Sequence, residues 1–267
     1  MFGAIIGDLA GSIYEFGQIK KVSPVEVKNV IEPNSFISDD SVLTIAIADA
    51  ILNKKDYGKS LREWGKKYID YHPDFEPYFK SSFSPSFTNW VLGEGEGKSA
   101  GNGAMMRVSP VGFLFDTEQE VIENARLATI PSHNNEDAVV AATLVSLIIF
   151  YARNGMKKED IIKKLDIDLR EPNIDHFNSR CEDTVDVCLY SLFTSNSFEE
   201  AVKKAISYGG DTDTNACIVG SMAEAMFGVP EKLKAQMMPH LPLDFLPVIA
   251  DYENFKKDKA GTEPSEN

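Results

Sequence analysis

Residues 209–230, with the sequence GGDTDTNACIVGSMAEAMFGVP, decide the fold class of this chain. The stretch opens with carboxylates and hydroxyls and continues as an apolar run. Small residues recur in that run at helical spacing, which permits a neighbouring helix to approach closely. The run ends at Gly228 and Pro230 follows, the usual punctuation at a helix C-terminus. The stretch therefore predicts a closely packed helix that begins at a polar cluster.

Helical periodicity also dominates the rest of the sequence. Residues 138–151 are the most hydrophobic stretch; at about fourteen residues it is too short to cross a bilayer and predicts a central core helix. Strand signals are confined to residues 20–31, where alternating valines predict a short extended segment or a gating loop. Further helices are predicted over residues 3–14, 41–52, 60–71, 118–128, 136–153, 158–165, 182–193, 198–208 and 243–255.

We expect an all-α fold in a single compact domain over residues 1–255. Residues 256–267 are charged and lack apolar anchors, so we expect them to form a flexible C-terminal tail. A chain of 267 residues with 43% hydrophobic residues is long enough for one large core. No break in composition requires a second domain.

Composition also limits the possible partners and location. The net charge of −14 argues against a nucleic-acid backbone or an anionic membrane as the main partner. Three cysteines without CxxC spacing are typical of reduced, structural thiols. The apolar N-terminal stretch is interrupted by Asp8 and Glu15 and follows no basic region, so it predicts neither a signal peptide nor a membrane span. We therefore expect a cytoplasmic protein, with a monomer as the default state.

Two clusters of carboxylates and hydroxyls carry the functional information. They are Ser38-Asp39-Asp40-Ser41 and Gly209-Gly210-Asp211-Thr212-Asp213-Thr214, and each precedes an apolar helical run. Oxygen ligands without sulfur or imidazole suit Mg²⁺, Mn²⁺ or Ca²⁺ rather than zinc or copper. If the fold brings the clusters together, their four aspartates could hold a pair of divalent cations. The chain would then be a metal-dependent hydrolase.

Helix capping is the alternative explanation of these clusters. Serine, threonine and aspartate are preferred at the N-cap, and carboxylates near a helix start are stabilised by the helix dipole. A cap uses one side chain, however, whereas each cluster offers about four oxygen-bearing residues in a row. Adjacent carboxylates also repel each other unless a cation neutralises them. This excess over the needs of capping favours metal binding.

Four further segments lie in loops or at helix ends, and each has a structural interpretation beside a functional one. Residues 7–15, GDLAGSIYE, read as a tightly packed helix that carries Glu15, a candidate catalytic group. Residues 99–107, SAGNGAMMR, contain a turn whose free backbone N–H groups could bind an anion, or an ordinary loop. His133 precedes the central helix and is either structural or a ligand contact. The acidic residues within 179–187 are typical of a solvated helix start.

Together and in this order, these segments resemble the ADP-ribosylglycohydrolase family, which includes dinitrogenase-reductase-activating glycohydrolase and the ADP-ribosylhydrolases. The likeness spans residue 3 to about residue 228. GDLAGSIYE resembles the family's first helix, and SDD at residues 38–40 resembles its first metal motif. SAGNGAMMR resembles its glycine-rich ADP-ribose loop, and SH at residues 132–133 its Ser/Thr-His element. GGDTDT at residues 209–214 resembles its second metal motif and is the most specific of the five.

The resemblance implies an all-α domain with two Mg²⁺ or Mn²⁺ ions in a cleft. Carried over by position, the metal ligands would be Ser38, Asp39, Asp40, Asp211, Asp213 and Thr214. The residues that contact the substrate would be Ser99, Gly101, Asn102, Gly103, His133, Gly209 and Gly210. The catalytic groups would be Glu15, Asp39 and Asp213.

The glycine-rich loop departs from the family pattern at Ala100, where some members carry an aromatic residue. We therefore expect a stacking contact from elsewhere, with Phe16, Phe87 and Tyr208 as candidates. Arg107, at the end of the same loop, either offsets the charge of a pyrophosphate or forms a structural salt bridge. Of these two roles we favour the salt bridge.

The implied reaction is hydrolysis of the bond between the distal ribose and a modified acceptor, with metal-assisted attack of water at the anomeric carbon. The partner would be an ADP-ribosylated protein or a small ADP-ribosyl compound, and the product ADP-ribose. We favour ADP-ribosyl-arginine because a guanidinium suits an acidic cleft rim. Serine, nucleobase and O-acetyl-ADP-ribose linkages remain alternatives.

Two other classes of function compete with this one. A non-catalytic family member could bind ADP-ribose or serve a structural role, although such a role does not require clustered carboxylates. A metal phosphohydrolase with an imidazole-rich centre would need closely spaced histidines, and the four here are scattered at positions 72, 133, 176 and 240. A pyrophosphohydrolase with a Glu-Glu-x-x-Glu helix is disfavoured because Lys203 stands where the third glutamate would be.

Overall fold

The computed structural model describes residues 1–17, 25–73 and 81–262. These residues form helices without a β-strand, so the predicted all-α fold is confirmed. Two isolated antiparallel bridges occur in the described part, Lys98–His133 and Gly101–Arg180. Of the segment predicted to be extended, residues 25–31 have no regular secondary structure and residues 20–24 lie outside the described ranges.

The helices follow one another along the chain, and the longest connections lie between α1 and α2, between α3 and α4, and between α9 and α10. They are α1 (Phe2–Gly17), α2 (Asp39–Leu52), α3 (Tyr57–Tyr68), α4 (Pro85–Leu92), α5 (Gly103–Met106), α6 (Ser109–Leu114), α7 (Glu118–Thr129), α8 (Glu136–Arg153), α9 (Lys158–Lys164), α10 (Cys181–Phe193), α11 (Phe198–Ser207), α12 (Thr212–Phe227), α13 (Glu231–Met237) and α14 (Phe245–Thr262). A 3₁₀ helix, Met238–His240, lies between the last two. None of the described helices is long and apolar enough to cross a membrane.

Side-chain caps set the starts of several helices. Thr117 and Glu120 form a reciprocal capping box at α7, and Asn135 accepts the backbone N–H of Ala138 at α8 (3.2 Å). Both starts agree with the sequence prediction. Helix α3 begins earlier than the predicted residue 60, because Asp56 caps it by accepting the backbone N–H of Lys59 (2.8 Å).

The last helix also differs from its prediction. It continues beyond residue 255, where the sequence analysis ended it, to Thr262. Lys259 holds this extension by donating to the carbonyl oxygen of Leu114 (2.9 Å) and to the carboxylate of Asp116 (2.5 Å). Residues 263–267 lie outside the described ranges.

Helix α8 is the central helix that its hydrophobicity predicts. It packs against α5, α6, α7, α10 and α12. Its buried side chains are predominantly apolar, and Ala138, Ala142, Ile148 and Ile149 are fully enclosed. Burial of this apolar surface is the main source of stability for a helix of this kind.

Helices α1 and α12 cross with their backbones in contact. A Cβ atom added to Gly7 would overlap the carbonyl oxygen of Ala216, and one added to Gly11 would overlap that of Thr212. Gly3 and Gly220 meet in the same way at the other end of the crossing. The small residues at 216 and 220 thus have the role that their spacing predicts. The crossing sets the polar ends of the two helices side by side.

Candidate metal centre and cleft

Five acidic side chains converge where α1, α2 and α12 meet. Asp8 and Glu15 stand seven residues apart on α1, and two helical turns place them on the same face. Asp40 comes from the first turn of α2, while Asp211 and Asp213 come from the start of α12. All five side chains are buried. The two sequence clusters, more than a hundred residues apart in the chain, therefore occupy one site.

The carboxylates form two groups that share a member. One oxygen each from Asp8, Asp40 and Asp213 lie within 4.8 Å of one another. One oxygen each from Glu15, Asp211 and Asp213 satisfy the same condition. Asp213 belongs to both groups, so two adjacent oxygen-rich positions have a carboxylate in common.

Asp8 is a site residue that the sequence analysis missed. Its Oδ2 accepts the backbone N–H groups of Ser38 (2.9 Å) and Ser41 (3.0 Å) and also the Ser41 hydroxyl. Its Oδ1 accepts the Ser38 hydroxyl (2.8 Å). Asp8 therefore holds the start of α2 against α1. A signal was present in the sequence, since an aspartate between Gly7 and Gly11 in an otherwise apolar helix needs a polar partner.

Capping accounts for only part of the polar clusters. Ser38 does cap α2, because its hydroxyl accepts the backbone N–H of Asp40 (3.2 Å). Asp211 is the N-cap residue of α12, yet its side chain makes no capping hydrogen bond. Asp40 Oδ2 accepts the Thr214 hydroxyl (3.2 Å), which joins the two clusters directly. Capping therefore does not explain why so many carboxylates are gathered here.

Asp40 supplies the test of whether a cation fits. Its Oδ1 is buried and has no hydrogen-bond partner among the described residues. A buried carboxylate oxygen without a partner costs free energy, and a cation removes that cost. The all-oxygen donor set suits Mg²⁺ or Mn²⁺. The residues present therefore fit a divalent cation.

The acidic side chains also raise one another's pKa values. Burial and then the charges of Asp8 and Asp39 raise the pKa of Asp40 well above the ordinary aspartate value. Burial and then Glu15 do the same to the pKa of Asp213. Burial followed by Asp8 and Asp211 raises the pKa of Asp39 to about 8. Burial raises the pKa of Asp8 to about 6, although hydrogen bonds from the two serines oppose it.

Asp39 stands apart from the two groups of carboxylates. It is half-buried, and its backbone N–H donates a hydrogen bond to the hydroxyl of Ser82 (2.8 Å). Its side chain lines the adjoining cavity rather than joining the carboxylate triplets. Its predicted roles as ligand and catalytic group remain predictions.

A cavity of about 580 Å³ opens beside the carboxylates. Glu15, Asp211 and Asp213 form part of its wall together with Asp39 and Thr214. Residues 81–87 and 99–103 form much of the remainder. The volume lies in the range usual for small-molecule sites, and the combination of a large cavity with perturbed carboxylates marks an active-site candidate.

The Gly101-Asn102-Gly103 turn lies in the cavity wall, but it differs from its prediction. The backbone N–H of Gly101 donates a hydrogen bond to the Ser99 hydroxyl (3.0 Å). The backbone N–H of Asn102 donates to the carbonyl oxygen of Ser179 (3.0 Å). The expectation of free N–H groups is thus wrong for these two residues. For the N–H of Gly103, no acceptor is found in the described part of the chain.

Asn102 links this turn to the metal motif. Its side-chain Nδ2 donates to Asp211 Oδ2 (2.8 Å) and lies within hydrogen-bonding distance of the carbonyl of Asn178 (3.1 Å) and the hydroxyl of Thr184 (3.3 Å). The amide group is therefore directed at a carboxylate of the site. Asn102 positions Asp211, and its predicted contact with substrate remains a prediction.

Gly209 and Gly210 shape the turn that delivers Asp211. Both have positive φ angles, 78° and 74°, which side chains rarely adopt. A Cβ on Gly210 would overlap the side-chain oxygen of Asn178, and that oxygen accepts the backbone N–H of Asp211 (2.9 Å). Neither glycine is among the residues that line the described cavity. Their predicted contact with substrate stays untested.

Arg107 does not form the salt bridge that the sequence analysis favoured. The side chain is fully buried, and no carboxylate in the described part of the chain pairs with it. Its Nη2 donates to the Ser132 hydroxyl (2.9 Å) and to the carbonyl oxygen of Ala128 (3.0 Å). The acceptors are backbone carbonyl oxygens at the end of α7, and they take the place of a carboxylate partner. Ser132 in turn contacts the ring of His133, which lines the cavity.

Of the aromatic residues expected to supply a stacking contact, Phe87 lies in the described cavity wall and Tyr208 does not. Phe87 lines the cavity with Phe83 and Phe177, and the rings of Phe83 and Phe87 stack at a centroid distance of 5.5 Å. Tyr208 is not among the residues that line this described cavity. The side chain of Phe16 lies outside the described structure.

Comparisons with known proteins agree on the family. A family model described as ADP-ribosylglycohydrolase matches residues 1–258. The ADP-ribosyl-[dinitrogen reductase] glycohydrolase of Rhodospirillum rubrum is 23% identical over 256 residues, which cover 86% of this chain and 84% of that protein. The ADP-ribosylarginine hydrolase Tri1 of Pseudomonas putida is 24% identical over 147 residues. That match is partial, covering 49% of this chain and 39% of Tri1.

A solved structure supports the fold. The structure titled "ADP-ribosylglycohydrolase-related protein complex" superimposes with a TM-score of 0.69, covers 96% of both chains and is 18% identical in sequence. This similarity bears on the architecture alone. The family match over nearly the whole sequence goes further: this chain belongs to the ADP-ribosylglycohydrolase family.

Proposed function

We propose that this chain is a binuclear-metal ADP-ribosyl hydrolase that removes ADP-ribose from a modified acceptor. The observation that carries the proposal is Asp213, which belongs to both carboxylate groups at the wall of a cavity of about 580 Å³. Two neighbouring cation sites that share a ligand are the arrangement expected of a binuclear centre. The family match supports the substrate half that contains ADP-ribose.

The first cation would be held by Asp8, Asp40 and Asp213, and the second by Glu15, Asp211 and Asp213. Ser38, Asp39 and Thr214 are close enough in sequence to complete these sites. Bound divalent cations would neutralise the carboxylates and make a nearby water more acidic. Mg²⁺ and Mn²⁺ are the candidates because all the donors are oxygen.

Glu15 is the group that we assign to proton transfer. It is buried, lines the cavity and lies beside Asp213, whose pKa it raises. It would take a proton from the water that attacks the anomeric carbon of the distal ribose. A bond forms between that carbon and the water oxygen while the bond from the carbon to the acceptor breaks. The acceptor leaves with a proton.

We propose ADP-ribosyl-arginine as the preferred linkage. Asp39, which lines the cavity outside the two carboxylate groups, would attract a guanidinium, whose remaining N–H groups are hydrogen-bond donors. The relative Tri1 is named for the same linkage, and its match to this chain is partial. The substrate would be an ADP-ribosylated protein or a small ADP-ribosyl compound, and the product ADP-ribose. The three buried free cysteines fit a cytoplasmic location.

Release of ADP-ribose from a panel of ADP-ribosylated model substrates, with Mg²⁺, Mn²⁺ or excess chelator, tests the proposal. We expect release only with a divalent cation, and fastest from the arginine linkage. Asp213→Asn should lower the rate by at least about 100-fold, because the change removes a ligand common to both sites. Full activity in chelator, or in Asp213→Asn, would refute the two-metal proposal.

Asp49→Asn is the matched control for that variant. Asp49 is a buried aspartate of α2 that accepts hydrogen bonds from Lys55 (2.7 Å), Trp64 (2.9 Å) and Asn53 (2.8 Å), away from the cavity. Its loss should lower stability and leave the rate unchanged. A panel in which another linkage is cleaved faster would keep the hydrolase proposal and overturn the arginine assignment alone.

A further inference from the structure

Arg107 is a buried charge that the proposed reaction does not use. Its side chain is fully enclosed, and Nε and Nη1 have no hydrogen-bond partner in the described part of the chain. Burial lowers the pKa of Arg107 to about 9, which leaves the group charged at neutral pH. An arginine without an acid is costly to bury, because its charge loses hydration and gains no opposite charge in return. The route from this residue to the cavity passes through Ser132.

Hydrogen-bond polarity and the acceptors in reach set the direction of each step along that route. A guanidinium can only donate, so the Ser132 hydroxyl must accept from Arg107 Nη2 (2.9 Å). The hydroxyl oxygen has a second lone pair, so the position of its own hydrogen depends on which acceptors are in reach. In the described part of the chain His133 Nδ1, 2.8 Å away, is the acceptor found for that hydrogen. The arrangement that satisfies the Ser132 hydroxyl makes Nδ1 an acceptor that carries no hydrogen. The proton of the neutral ring then resides on Nε2.

The Nε2 atom faces the glycine turn of the cavity. It lies 3.3 Å from the position that a Cβ on Gly103 would occupy and 3.7 Å from that on Gly101. The N–H groups of Gly101 and Asn102 are already used inside the loop. The imidazole is thus well placed to supply a donor that the backbone of the turn does not.

The charged surroundings of the ring favour the neutral form. Burial, followed by the charge of Arg107, lowers the pKa of His133 well below the usual histidine value. Lys98 pairs with His133 through the backbone, but its ammonium lies in solvent beside Glu96 (2.8 Å). Burial raises the pKa of Cys181, which packs behind the turn, so that its thiol stays uncharged.

We propose that Arg107 and Ser132 are positioning residues that lock His133 as the neutral Nε2–H tautomer. The ring is thereby a permanent hydrogen-bond donor to an oxygen of the ADP-ribose half of the substrate and takes no part in proton transfer. This inference rests on the proposed function for the identity of the ligand. The tautomer itself follows from the protein alone and can be measured without substrate.

Selective ¹⁵N labelling of histidine tests the tautomer directly. Ring ¹H–¹⁵N correlation spectra of the full chain are recorded between about pH 5.5 and 8, and His133 is assigned by its absence in His133→Gln. We expect His133 to keep a hydrogen on Nε2 and none on Nδ1 throughout, while the exposed His176 titrates. An Nδ1–H ring, or a titration midpoint for His133 within this range, would overturn the proposal.

Binding of ADP-ribose, measured by isothermal titration, tests the positioning role. Ser132→Ala should raise the Kd by roughly 3- to 10-fold, the effect of losing one hydrogen bond, and should raise KM with little change in kcat. In the spectrum of Ser132→Ala, the His133 ring should populate both neutral tautomers instead of one. His133→Gln, whose amide can still donate near the same place, should bind within about threefold of the unchanged protein.

Ser109→Ala is the matched control. The Ser109 hydroxyl is also buried near Arg107 in sequence, but it has no partner in the described part of the chain. The control should leave both the spectrum and the Kd unchanged. If the protein binds no ADP-ribose, the proposed function fails while the tautomer measurement still stands. If ADP-ribose binds and Ser132→Ala changes neither the tautomer nor the Kd, the present inference fails alone.

Discussion

Asp8 accepts hydrogen bonds only, and its surroundings require that. Ser38 and Ser41 each direct a backbone N–H and a hydroxyl hydrogen at its two oxygens. These four donors favour a carboxylate at this position, because it offers acceptors on both oxygens. The same carboxylate lies within 4.8 Å of Asp40 and Asp213. Asp8 thus couples the position of α2 to the proposed metal site.

Asp8→Asn should therefore impair both stability and metal binding. The amide NH₂ would replace an oxygen that accepts a hydrogen bond from one of these serines, and we expect the free energy of unfolding to fall by about 1–3 kcal/mol. The affinity for Mg²⁺ or Mn²⁺ should fall by roughly 10- to 100-fold. Isothermal titration and denaturant unfolding measure the two effects. Asp49→Asn should lower stability without changing metal affinity; an Asp8→Asn protein that binds metal normally would contradict the assignment.

Single residues differ in how far the sequence could predict them. Asp40 and Asp213 were predictable because they stand in dense polar clusters beside apolar helices. Asn178 was not, because it lies in a stretch without periodicity and acts through contacts with Asp211 and Asn215 that only the fold creates. Arg107 was assigned a salt bridge, since sequence cannot reveal that buried carbonyl oxygens would replace an acid.

At the scale of elements, the crossing of α1 and α12 sets the spacing of the carboxylates. Asp8 and Glu15 come from one helix and Asp213 from the other. Glycines at positions 7 and 11 remove the side chains that would hold the two backbones apart. A carboxylate site tolerates little displacement, because ligand distances must stay within a few tenths of an ångström.

Gly7→Ala should separate these helices and weaken the site. The added Cβ would overlap the carbonyl oxygen of Ala216, and overpacking of this kind costs about 1–3 kcal/mol. Metal affinity should fall at least about tenfold, because ligands on both helices move apart. Thermal unfolding and metal titration measure the two effects.

Gly155→Ala is the control for that variant. Gly155 has a φ angle of 81° and open space around the position of a Cβ, so alanine should cost about 1–2 kcal/mol through backbone strain alone. Metal affinity should not change. Equal losses of metal affinity in the two variants would mean that general destabilisation, and not helix spacing, is responsible.

The elements that the sequence predicted best are the long periodic ones. Helix α8 was predicted at its observed bounds, because an apolar run lies between a capping residue and Gly155. Helices α4 and α6 were missed. Each is short and has a proline in its first turn, a position where proline is compatible with a helix but resembles a loop signal. Short helices of this kind depend on tertiary packing rather than on their own periodicity.

At the scale of the whole molecule, charge must be balanced locally. The chain has a net charge of −14, and the described site concentrates five buried carboxylates in one place. Without a cation the folded protein relieves this repulsion by holding protons, as the raised pKa values of Asp39 and Asp213 indicate. An aspartate in the unfolded chain, with a pKa of about 3.9, has already lost its proton at neutral pH.

The sign of the resulting pH dependence follows from proton numbers. Between about pH 4 and pH 8 the metal-free folded state binds more protons than the unfolded state, so its stability falls as pH rises. Each extra bound proton contributes a slope of about 1.4 kcal/mol per pH unit. Divalent cations replace these protons, and their stabilising effect should therefore grow with pH.

We expect the increase in Tm produced by saturating Mg²⁺, relative to chelator, to be larger at pH 8 than at pH 5.5 by at least roughly 3 °C. Differential scanning calorimetry at several pH values measures this difference, and Asp213→Asn should abolish most of it, because both cation sites lose a ligand. Asp49→Asn should retain it, since Asp49 already has a lowered pKa through its bonds to Lys55 and Trp64, which outweigh its burial. A Tm increase that is independent of pH, or that shrinks as pH rises, would mean that the buried carboxylates do not exchange protons for metal.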